Sequence, residues 1–207
     1  MSPLSHILEY KIVAILRGMP PKDMVNIASA LCDGGIRILE VTLNSADALA
    51  SIKELSNAFG DSMLVGAGTV LNSTDAVNAI EAGAEFLISP SLDFEVIKIA
   101  KKAGKVSIPG AYTPTEILAA YNQGADIVKI FPVPDAGYIK SILAPLDKIR
   151  VMPTGGINAA NIKSFADAGA VAFGISSALT DSKAIVSKDY LIGLTGKAKK
   201  LITALNS

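Results

Sequence analysis

The chain has 207 residues, half of them hydrophobic, and its 19 basic and 19 acidic side chains leave no formal net charge. This balance and the absence of tryptophan argue against a nucleic-acid partner. One histidine and one cysteine exclude a His/Cys metal cluster, and no apolar run approaches the roughly 18 residues of a membrane-spanning helix. The N-terminus lacks the pattern of a secretory signal, and the single cysteine fits a reducing cytoplasm.

Short runs rich in β-branched residues alternate along the chain with segments whose apolar residues recur at helical spacing. The runs predict eight strands, at 12–16, 38–43, 64–70, 86–89, 106–108, 127–131, 151–153 and 170–174. The intervening segments predict helices at 23–33, 46–59, 74–82, 93–103, 114–123 and 159–168. A short N-terminal helix around His6 and a last helix at 197–207, with Lys199 and Lys200 on its solvated face, complete the pattern.

Several of the helical segments stop at a glycine, and the segment that begins at Thr113-Pro114-Thr115-Glu116 carries a capping box. Strands that alternate with helices pair in parallel and are covered by the helices. Eight such units favour a closed (β/α)₈ TIM barrel over an open doubly wound sheet. No composition shift marks a boundary, so we expect one catalytic domain over residues 1–207.

Lys129 interrupts the apolar run 127–132, IVKIFP, which predicts a buried strand. An ammonium group in such a strand loses its hydration, so burial favours the neutral amine. A neutral lysine amine is a nucleophile that forms Schiff bases with carbonyl compounds. The alternative is a lysine near the strand end whose ammonium group reaches water.

Glu40 is a lone carboxylate in the strand 38–43, ILEVTL. Such a group is costly to bury unless it is paired or takes part in chemistry, and the alternative is a structural ion pair with Arg17 or Arg37. Glu40 and Lys129 fall on strands two and six, and alternate strands of a barrel contribute to the same interior layer. We therefore expect a nucleophile and a proton carrier in one cavity.

Two glycine-containing segments follow the last predicted strands, PTGGIN at 153–158 and FGISS at 173–177. Glycines let backbone N–H groups approach an anion, and we expect both segments to open helices whose N-termini favour negative charge. Phosphate sites after strands seven and eight recur in this fold. Together the two segments predict a phosphate-binding site.

Seven segments carry a resemblance to a known family: ILRG at 15–18, LEVTL at 39–43, VGAGTV at 65–70, ISP at 88–90, IPG at 108–110, VKIFP at 128–132 and PTGGI at 153–157. In this order, over nearly the whole chain, the sequence resembles the bacterial 2-keto-3-deoxy-6-phosphogluconate (KDPG) aldolases, also called bifunctional 4-hydroxy-2-oxoglutarate (KHG) aldolases. The resemblance implies a (β/α)₈ barrel, a class I aldolase without metal or other cofactor, and a homotrimer. It places the enzyme in cytoplasmic carbohydrate metabolism, in the Entner-Doudoroff pathway.

Carried over to this sequence, the resemblance implies that Lys129 is the Schiff-base lysine and Glu40 the general acid/base. Thr69 would contact the pyruvate moiety, and Pro90 and Phe131 would line the pocket. The substrate phosphate would be bound by four residues, Gly155, Gly156, Gly174 and Ser176, with Ser177 as the competing choice for the serine.

The chain departs from the family pattern at the carboxylate-binding position. Many gluconate-type members have an arginine after Glu-Val-Thr-Leu, where this chain has Asn44. We expect Asn44 to stay in the binding site and Arg17, whose fork suits a carboxylate, to take over the carboxylate. Leu-Asn-Ser and Leu-Arg-Gly are more similar to the 6-phosphogalactonate branch, whereas Pro-Thr-Gly-Gly is more similar to the gluconate branch. Asp135-Ala136-Gly137 also differs from the more usual Gly-Pro pair.

The expected reaction is cleavage of KDPG to pyruvate and glyceraldehyde 3-phosphate, with KHG cleavage to pyruvate and glyoxylate as a further activity. The first alternative is the 6-phosphogalactonate epimer as substrate. The others are a barrel isomerase or synthase, with Glu40 as base and Lys129 as an electrostatic clamp, and a non-catalytic phosphate-binding barrel. In each case the partner is a small molecule, and neither nucleic acid nor membrane is expected.

Overall fold

The computed structural model describes residues 1–60 and 62–207, and within them eight parallel strands alternate with helices. The strands are β1 (Ile12–Leu16), β2 (Ile38–Thr42), β3 (Leu64–Gly68), β4 (Phe86–Ile88), β5 (Val106–Ile108), β6 (Val128–Ile130), β7 (Val151–Pro153) and β8 (Phe173–Ile175). The helices are α1 (Pro3–Tyr10), α2 (Met24–Asp33), α3 (Ala48–Phe59), α4 (Ser73–Glu81), α5 (Phe94–Lys102), α6 (Pro114–Asn122), α7 (Ala136–Leu143), α8 (Ile162–Asp167) and α9 (Lys188–Leu205).

The strands curl into a closed barrel. Six strands pair in the order β5-β4-β3-β2-β1-β8, and β6 pairs with β7. Parallel bridges between Gly110 and Lys129 and between Thr154 and Gly174 join the two groups of strands. The (β/α)₈ TIM barrel predicted from the alternation is therefore confirmed.

Side chains alternate strictly between two packing layers. In β1, Val13 packs in the inner cluster, which fills the barrel, whereas Ala14 packs in the outer cluster between strands and helices. The inner cluster also holds Phe86 from β4, Met152 from β7 and Ile7 from α1. Helix α1 leads directly into the start of β1, and its Ile7 packs in the inner cluster, so α1 covers the N-terminal end of the barrel. The C-terminal end is then the one available for binding.

The predicted strands match the observed ones to within three residues at each end. The largest shift is in β8, which begins at Phe173 instead of residue 170. The predicted glycine stops are confirmed at four helix ends, where the glycines have positive φ angles, namely Gly83, Gly104, Gly124 and Gly169. The capping box on Thr113 and Glu116 is also present.

Three features of the helices differ from the prediction. The last helix, α9, begins at Lys188, nine residues before the predicted start, because Ser187 caps it through the N–H of Tyr190. Helix α7 was missing from the predicted segments, and α8 is shorter at both ends than predicted. Within the described residues, no helix has the length and apolar character needed to cross a membrane.

Candidate active site

Lys129 lies at the middle of β6, and its side chain is enclosed by the barrel. Its neighbours Val128 and Ile130 pack outward, so the alternation turns Lys129 inward. The residue is only 2% exposed, which contradicts the alternative of a strand-end lysine that reaches water. Its Nζ lies 5.3 Å from the centre of the Phe131 ring, within the range of a cation–π contact.

The backbone of Lys129 is held from both neighbouring strands. Its N–H donates to the Pro109 carbonyl oxygen at 2.8 Å, and its own carbonyl accepts from Ala111 at 2.9 Å. On the other side, Lys129 is in register with Met152 of β7. The amine therefore projects from a fixed point in the barrel wall.

Glu40 lies on β2 and is fully buried. Neither carboxylate oxygen has a hydrogen-bond partner within residues 1–60 and 62–207. The carboxylate occupies the space beside Gly68 of β3, where an added Cβ would lie 1.8 Å from Oε1. Burial raises the pKa of the Glu40 carboxyl above its usual range, while the charges of Lys129 and Arg17 act in the opposite direction. A carboxyl group with a raised pKa holds its proton more firmly than an exposed one and can return it to a substrate.

The structure does not support the alternative of a structural ion pair for Glu40. The Arg37 guanidinium donates instead to the carbonyl oxygens of Cys32 and Ile36, at 2.7 and 3.0 Å. Arg17 is exposed just beyond β1 and acts on Glu40 only through its charge. Among the described residues Glu40 is thus a buried carboxyl group without a partner, which is unusual outside functional sites.

A hydrogen-bond network joins the loops that carry Arg17 and Asn44. The Ser45 hydroxyl accepts from the Gly18 N–H at 2.8 Å and bonds the Thr42 hydroxyl at 2.9 Å. Thr42 is fully buried in β2, so the network ties the Arg17 loop to the barrel wall. Asn44 itself is exposed at this rim.

Thr69, Pro90 and Phe131 follow β3, β4 and β6 at the C-terminal end of the barrel. Thr69 is half-buried and has φ of +58°, which is rare for a β-branched residue and marks local strain. Pro90 is half-buried, and Phe131 is 38% exposed. All three therefore lie at the predicted end of the barrel.

Gly155 and Gly156 follow β7, as predicted, whereas Gly174 lies within β8 and not in a loop after it. Neither glycine segment opens directly into a helix. Helix α8 begins at Ile162, three residues later than predicted, and the next regular helix after Ser176 is α9. The chain after β8 instead forms a turn in which the Ser176 carbonyl accepts from Leu179 and Thr180. The expected helix N-termini were wrong, so any anion at these loops must be bound by loop groups.

Of the remaining phosphate candidates, Gly155, Gly156, Ser176 and Ser177 lie beyond the ends of β7 and β8, and Gly174 lies inside β8. Gly155 and Gly156 have φ angles of +101° and +71°, which glycine adopts without strain. Gly174 is buried, Ser176 is half-buried and Ser177 is exposed.

Thr154 is a polar residue that the sequence analysis did not single out. It is 4% exposed, and its hydroxyl has no hydrogen-bond partner among the described residues. It follows the inward-facing Met152 by two positions, so the period-2 pattern could have identified it. The hydroxyl lies beside Gly174, where an added Cβ would be 2.3 Å from Oγ1.

The arrangement combines a buried lysine amine, a buried carboxyl group and a hydroxyl without a partner among the described residues, and the exposed Arg17 guanidinium follows β1. Such a set can attack a ketone, move protons at the adjacent carbons and bind an anionic substrate. Within the described residues, no group of three or more His, Cys, Asp and Glu side chains is arranged to hold a metal ion.

The chain matches the sequence model of the KDPG and KHG aldolase family over residues 4–192. It is 36% identical over 171 residues to the 2-dehydro-3-deoxy-6-phosphogalactonate aldolase of Escherichia coli K12, covering 81% of this chain and 83% of that protein. It is also 36% identical over 169 residues to the KHG/KDPG aldolase of the same strain, covering 80% of this chain and 79% of that protein.

A solved structure is similar over the whole barrel. The KDPG aldolase of Legionella pneumophila, with pyruvate captured as a covalent carbinolamine intermediate, superposes with a TM-score of 0.83 at 27% identity. The superposition covers 97% of this chain and 98% of that one. Since the family model spans most of the chain and both relatives exceed 30% identity over about four fifths of it, this chain belongs to the KDPG and KHG aldolase family and is a class I aldolase, a carbon–carbon lyase.

Proposed function

We propose that this enzyme cleaves 2-keto-3-deoxy-6-phosphogluconate to pyruvate and glyceraldehyde 3-phosphate through a Schiff base on Lys129. The observation that carries the proposal is the presence of two buried titratable side chains on the inner face of one barrel, with Lys129 at 2% and Glu40 at 0% exposure. The family supplies the reaction class, and the Legionella relative binds pyruvate covalently.

The reaction begins with attack of the neutral Lys129 amine on the C2 ketone, which gives a carbinolamine that loses water to form an iminium ion. The iminium accepts the electron pair of the C3–C4 bond as that bond breaks. Glu40, through a water molecule, takes the proton of the C4 hydroxyl, and the aldehyde product leaves. The same carboxyl then protonates C3 of the enamine, and water hydrolyses the imine to pyruvate and free Lys129.

The keto-acid end of the substrate is bound at the rim formed by the loops after β1, β2 and β3. In the proposal the Arg17 guanidinium binds the carboxylate of the substrate, Asn44 and Thr69 donate to its oxygens, and Pro90 and Phe131 cover its apolar side. The positive charge of Arg17 acts to lower the pKa of Glu40. This supports a position of the substrate carboxylate, bound by Arg17, close to Glu40.

The phosphate end extends toward the loops after β7 and β8. Gly155 and Gly156, together with Gly174 and Ser176, are proposed to bind the phosphate through backbone N–H groups and the serine hydroxyl, with Ser177 as the alternative serine. Thr154, on the inner face between this rim and the buried centre, is positioned to bond a substrate hydroxyl. The absence of a hydrogen-bond partner for this hydroxyl in the described part of the chain supports this assignment.

A second candidate substrate is the C4 epimer, 2-keto-3-deoxy-6-phosphogalactonate. One observation favours it, an exposed Asn44 at the position of the gluconate-type arginine. The identity of 36% to a 6-phosphogalactonate aldolase equals the identity to the KHG/KDPG aldolase and favours neither epimer. 4-Hydroxy-2-oxoglutarate is proposed as an additional substrate because it offers the same C2 ketone and C4 hydroxyl. The isomerase and non-catalytic alternatives lose their support, since the chain belongs to an aldolase family.

We further propose that the enzyme acts as a homotrimer in the cytoplasm, in the Entner-Doudoroff pathway. The support is the sequence resemblance, together with the single cysteine. Light scattering of the purified protein would measure its mass, and a mass other than three chains would contradict the trimer.

The substrate assignment is tested by measuring pyruvate release from both phosphorylated epimers and from 4-hydroxy-2-oxoglutarate. We expect the highest kcat/KM for the gluconate epimer. A higher kcat/KM for the galactonate epimer would establish the second candidate instead. If the enzyme releases pyruvate from none of the three substrates, the proposed function is overturned.

A further inference from the structure

We infer that Asn161, assisted by Asn158, is a positioning residue that fixes the Gly155–Gly156 loop in the shape that receives the substrate phosphate. The inference rests on the proposed phosphate site and assigns the residues that hold that site in place. Neither asparagine needs to touch the substrate, because both act on the loop backbone.

The two asparagine side chains converge on one backbone carbonyl. The Asn161 amide donates to the Gly156 carbonyl oxygen at 3.0 Å, and the Asn158 amide donates to the same oxygen at 3.1 Å. The Asn161 side-chain oxygen accepts from the Asn158 N–H at 2.8 Å. Only one orientation of the Asn161 amide satisfies both contacts, because one partner is an acceptor and the other a donor. The peptide after Gly156 is therefore held in one orientation.

The N–H groups of the same loop have no acceptor in the part of the chain that the structure describes. Within residues 1–60 and 62–207, the backbone N–H groups of Gly155, Gly156 and Ile157 donate to no protein acceptor. Consecutive free N–H groups in a glycine turn form a concave anion-binding surface. The asparagines bind the carbonyl of this turn and leave its donors available, which is the polarity that a phosphate requires.

The Asn161 side chain makes these contacts and does not cap its own helix. It occupies the N-cap position of α8, but its side chain accepts no hydrogen bond from that helix. An N-cap asparagine usually bonds the first turn of its own helix, which stabilises the helix. Its backbone is held nevertheless, because the Ser164 hydroxyl donates to the Asn161 carbonyl at 2.7 Å. The side chain is thus used for the loop.

Hydrophobic packing anchors the segment that carries Asn158 and Asn161. Ile157 is 3% exposed and Ile162 is fully buried, so both ends of the segment are anchored in the core. An added Cβ on Gly156 would have no atom of the described residues within 4 Å outside its chain neighbours, so none of these residues packs over it. The shape of the glycine turn therefore depends on the amide contacts to its carbonyl.

The test is the variant Asn161→Asp, which keeps an oxygen acceptor for the Asn158 N–H but replaces the amide donor with an oxygen facing the Gly156 carbonyl. We expect KM for the phosphorylated substrate to rise roughly ten-fold to fifty-fold, with a matching weakening of competitive inhibition by inorganic phosphate. With the unphosphorylated substrate 4-hydroxy-2-oxoglutarate, kcat and KM should stay within about two-fold of the wild type. The matched control is Asn72→Asp, since Asn72 is also an N-cap whose amide donates to a neighbour, Asp75, away from the glycine loops.

An unchanged KM and an unchanged inhibition by phosphate in Asn161→Asp would overturn the inference. Equal losses on both substrates would also overturn it, because they would show a purely structural role. If inorganic phosphate does not inhibit the wild type, the proposed phosphate site is wrong and the inference falls with it. Should Asn161→Asp fold poorly, Asn158→Asp removes only the second donor to Gly156 and keeps the acceptor for Ala160, and a smaller shift of the same selectivity is expected.

Discussion

The centre of the barrel and the loop after β7 place their polar groups in different ways. At the centre, Lys129 and Glu40 are fixed by strand register and enclosed by apolar neighbours, and Glu40 has no hydrogen-bond partner in the described part of the chain. At the loop, backbone groups of Gly155 and Gly156 are fixed by side-chain amides near the surface. Burying polar groups without hydrogen-bond partners at the centre lowers the stability of the fold, whereas the side-chain hydrogen bonds at the loop order its backbone. Changes at the centre should alter kcat, and changes at the loop should alter KM.

The largest effect is expected at Lys129. Neither Lys129→Arg nor Lys129→Ala can form an imine, so kcat should fall by roughly four orders of magnitude or more on every substrate. The control is Lys98→Arg, at a lysine whose side chain is 72% exposed on α5. Steady-state pyruvate release measures both, and substantial turnover by either Lys129 variant would refute its role.

Glu40→Gln should lower kcat by roughly 10²- to 10⁴-fold, because it removes the proton carrier with little change in shape. KM should change little, since in the proposal the Glu40 carboxyl group moves protons and does not bind the substrate phosphate. Glu95→Gln, at an exposed glutamate of α5, serves as control. A normal kcat in Glu40→Gln would show that the carboxylate is not the proton carrier.

A pair of glycine variants compares the two regions directly. Gly68→Ala would place a methyl group 1.8 Å from the present position of Glu40 Oε1, so the carboxylate must move and kcat should fall roughly 10²-fold. Gly156→Ala meets no atom of the described residues but strains a backbone with φ of +71°, at about 1–2 kcal/mol. Its effect should fall on KM for phosphorylated substrates. The reverse pattern, with kcat lost in Gly156→Ala and KM in Gly68→Ala, would contradict the comparison.

Arg17→Gln should raise KM roughly 10- to 100-fold for all substrates, phosphorylated or not, because each carries the keto-acid carboxylate. Ser45→Ala should cause a smaller shift in the same direction, since it frees the Gly18 N–H from the network beside Arg17. Initial-rate kinetics on KDPG and 4-hydroxy-2-oxoglutarate distinguish this from a phosphate-site effect. A change of KM confined to the phosphorylated substrate would show that Arg17 acts at the phosphate end of the substrate and not at its carboxylate end.

The smallest effect concerns stability and pH. The pKa of Glu40 is raised by burial in the folded protein, above the value of about 4.3 in an unfolded chain. Between these two pKa values the folded state keeps the proton and the unfolded state releases it, so wild-type stability falls as pH rises through that window.

The difference in Tm between Glu40→Gln and wild type should therefore be near zero below about pH 4 and should grow in favour of the variant as pH rises. Thermal unfolding at a series of pH values measures it. A difference that is constant with pH, or that shrinks as pH rises, would contradict the raised pKa.

The sequence predicted the centre well because buried strands constrain their residues strongly. A charged residue in a β-branched run, such as Lys129 or Glu40, stands out against apolar neighbours, and the strand period determines which way it faces. The same reasoning should have found Thr154, which lies two positions after Met152, but threonine is common in strands and gives no charge signal.

The loops were predicted less well, because their contacts follow no period. Nothing in the spacing of Asn158 and Asn161 indicates that both amides donate to Gly156, nor that Ser45 accepts from Gly18. The expected helix starts after the glycines were wrong for the same reason, since Asn161 turns its side chain to the loop and α8 begins only at Ile162. Local hydrogen bonds between loops depend on the assembled barrel.

The most direct test of the central claim is borohydride reduction in the presence of pyruvate, followed by peptide mass spectrometry. The account predicts one pyruvate-derived adduct on Lys129 in the wild type and none at this position in Lys129→Arg. An adduct on a different lysine of the wild type, or no adduct at all, would contradict the Schiff-base assignment.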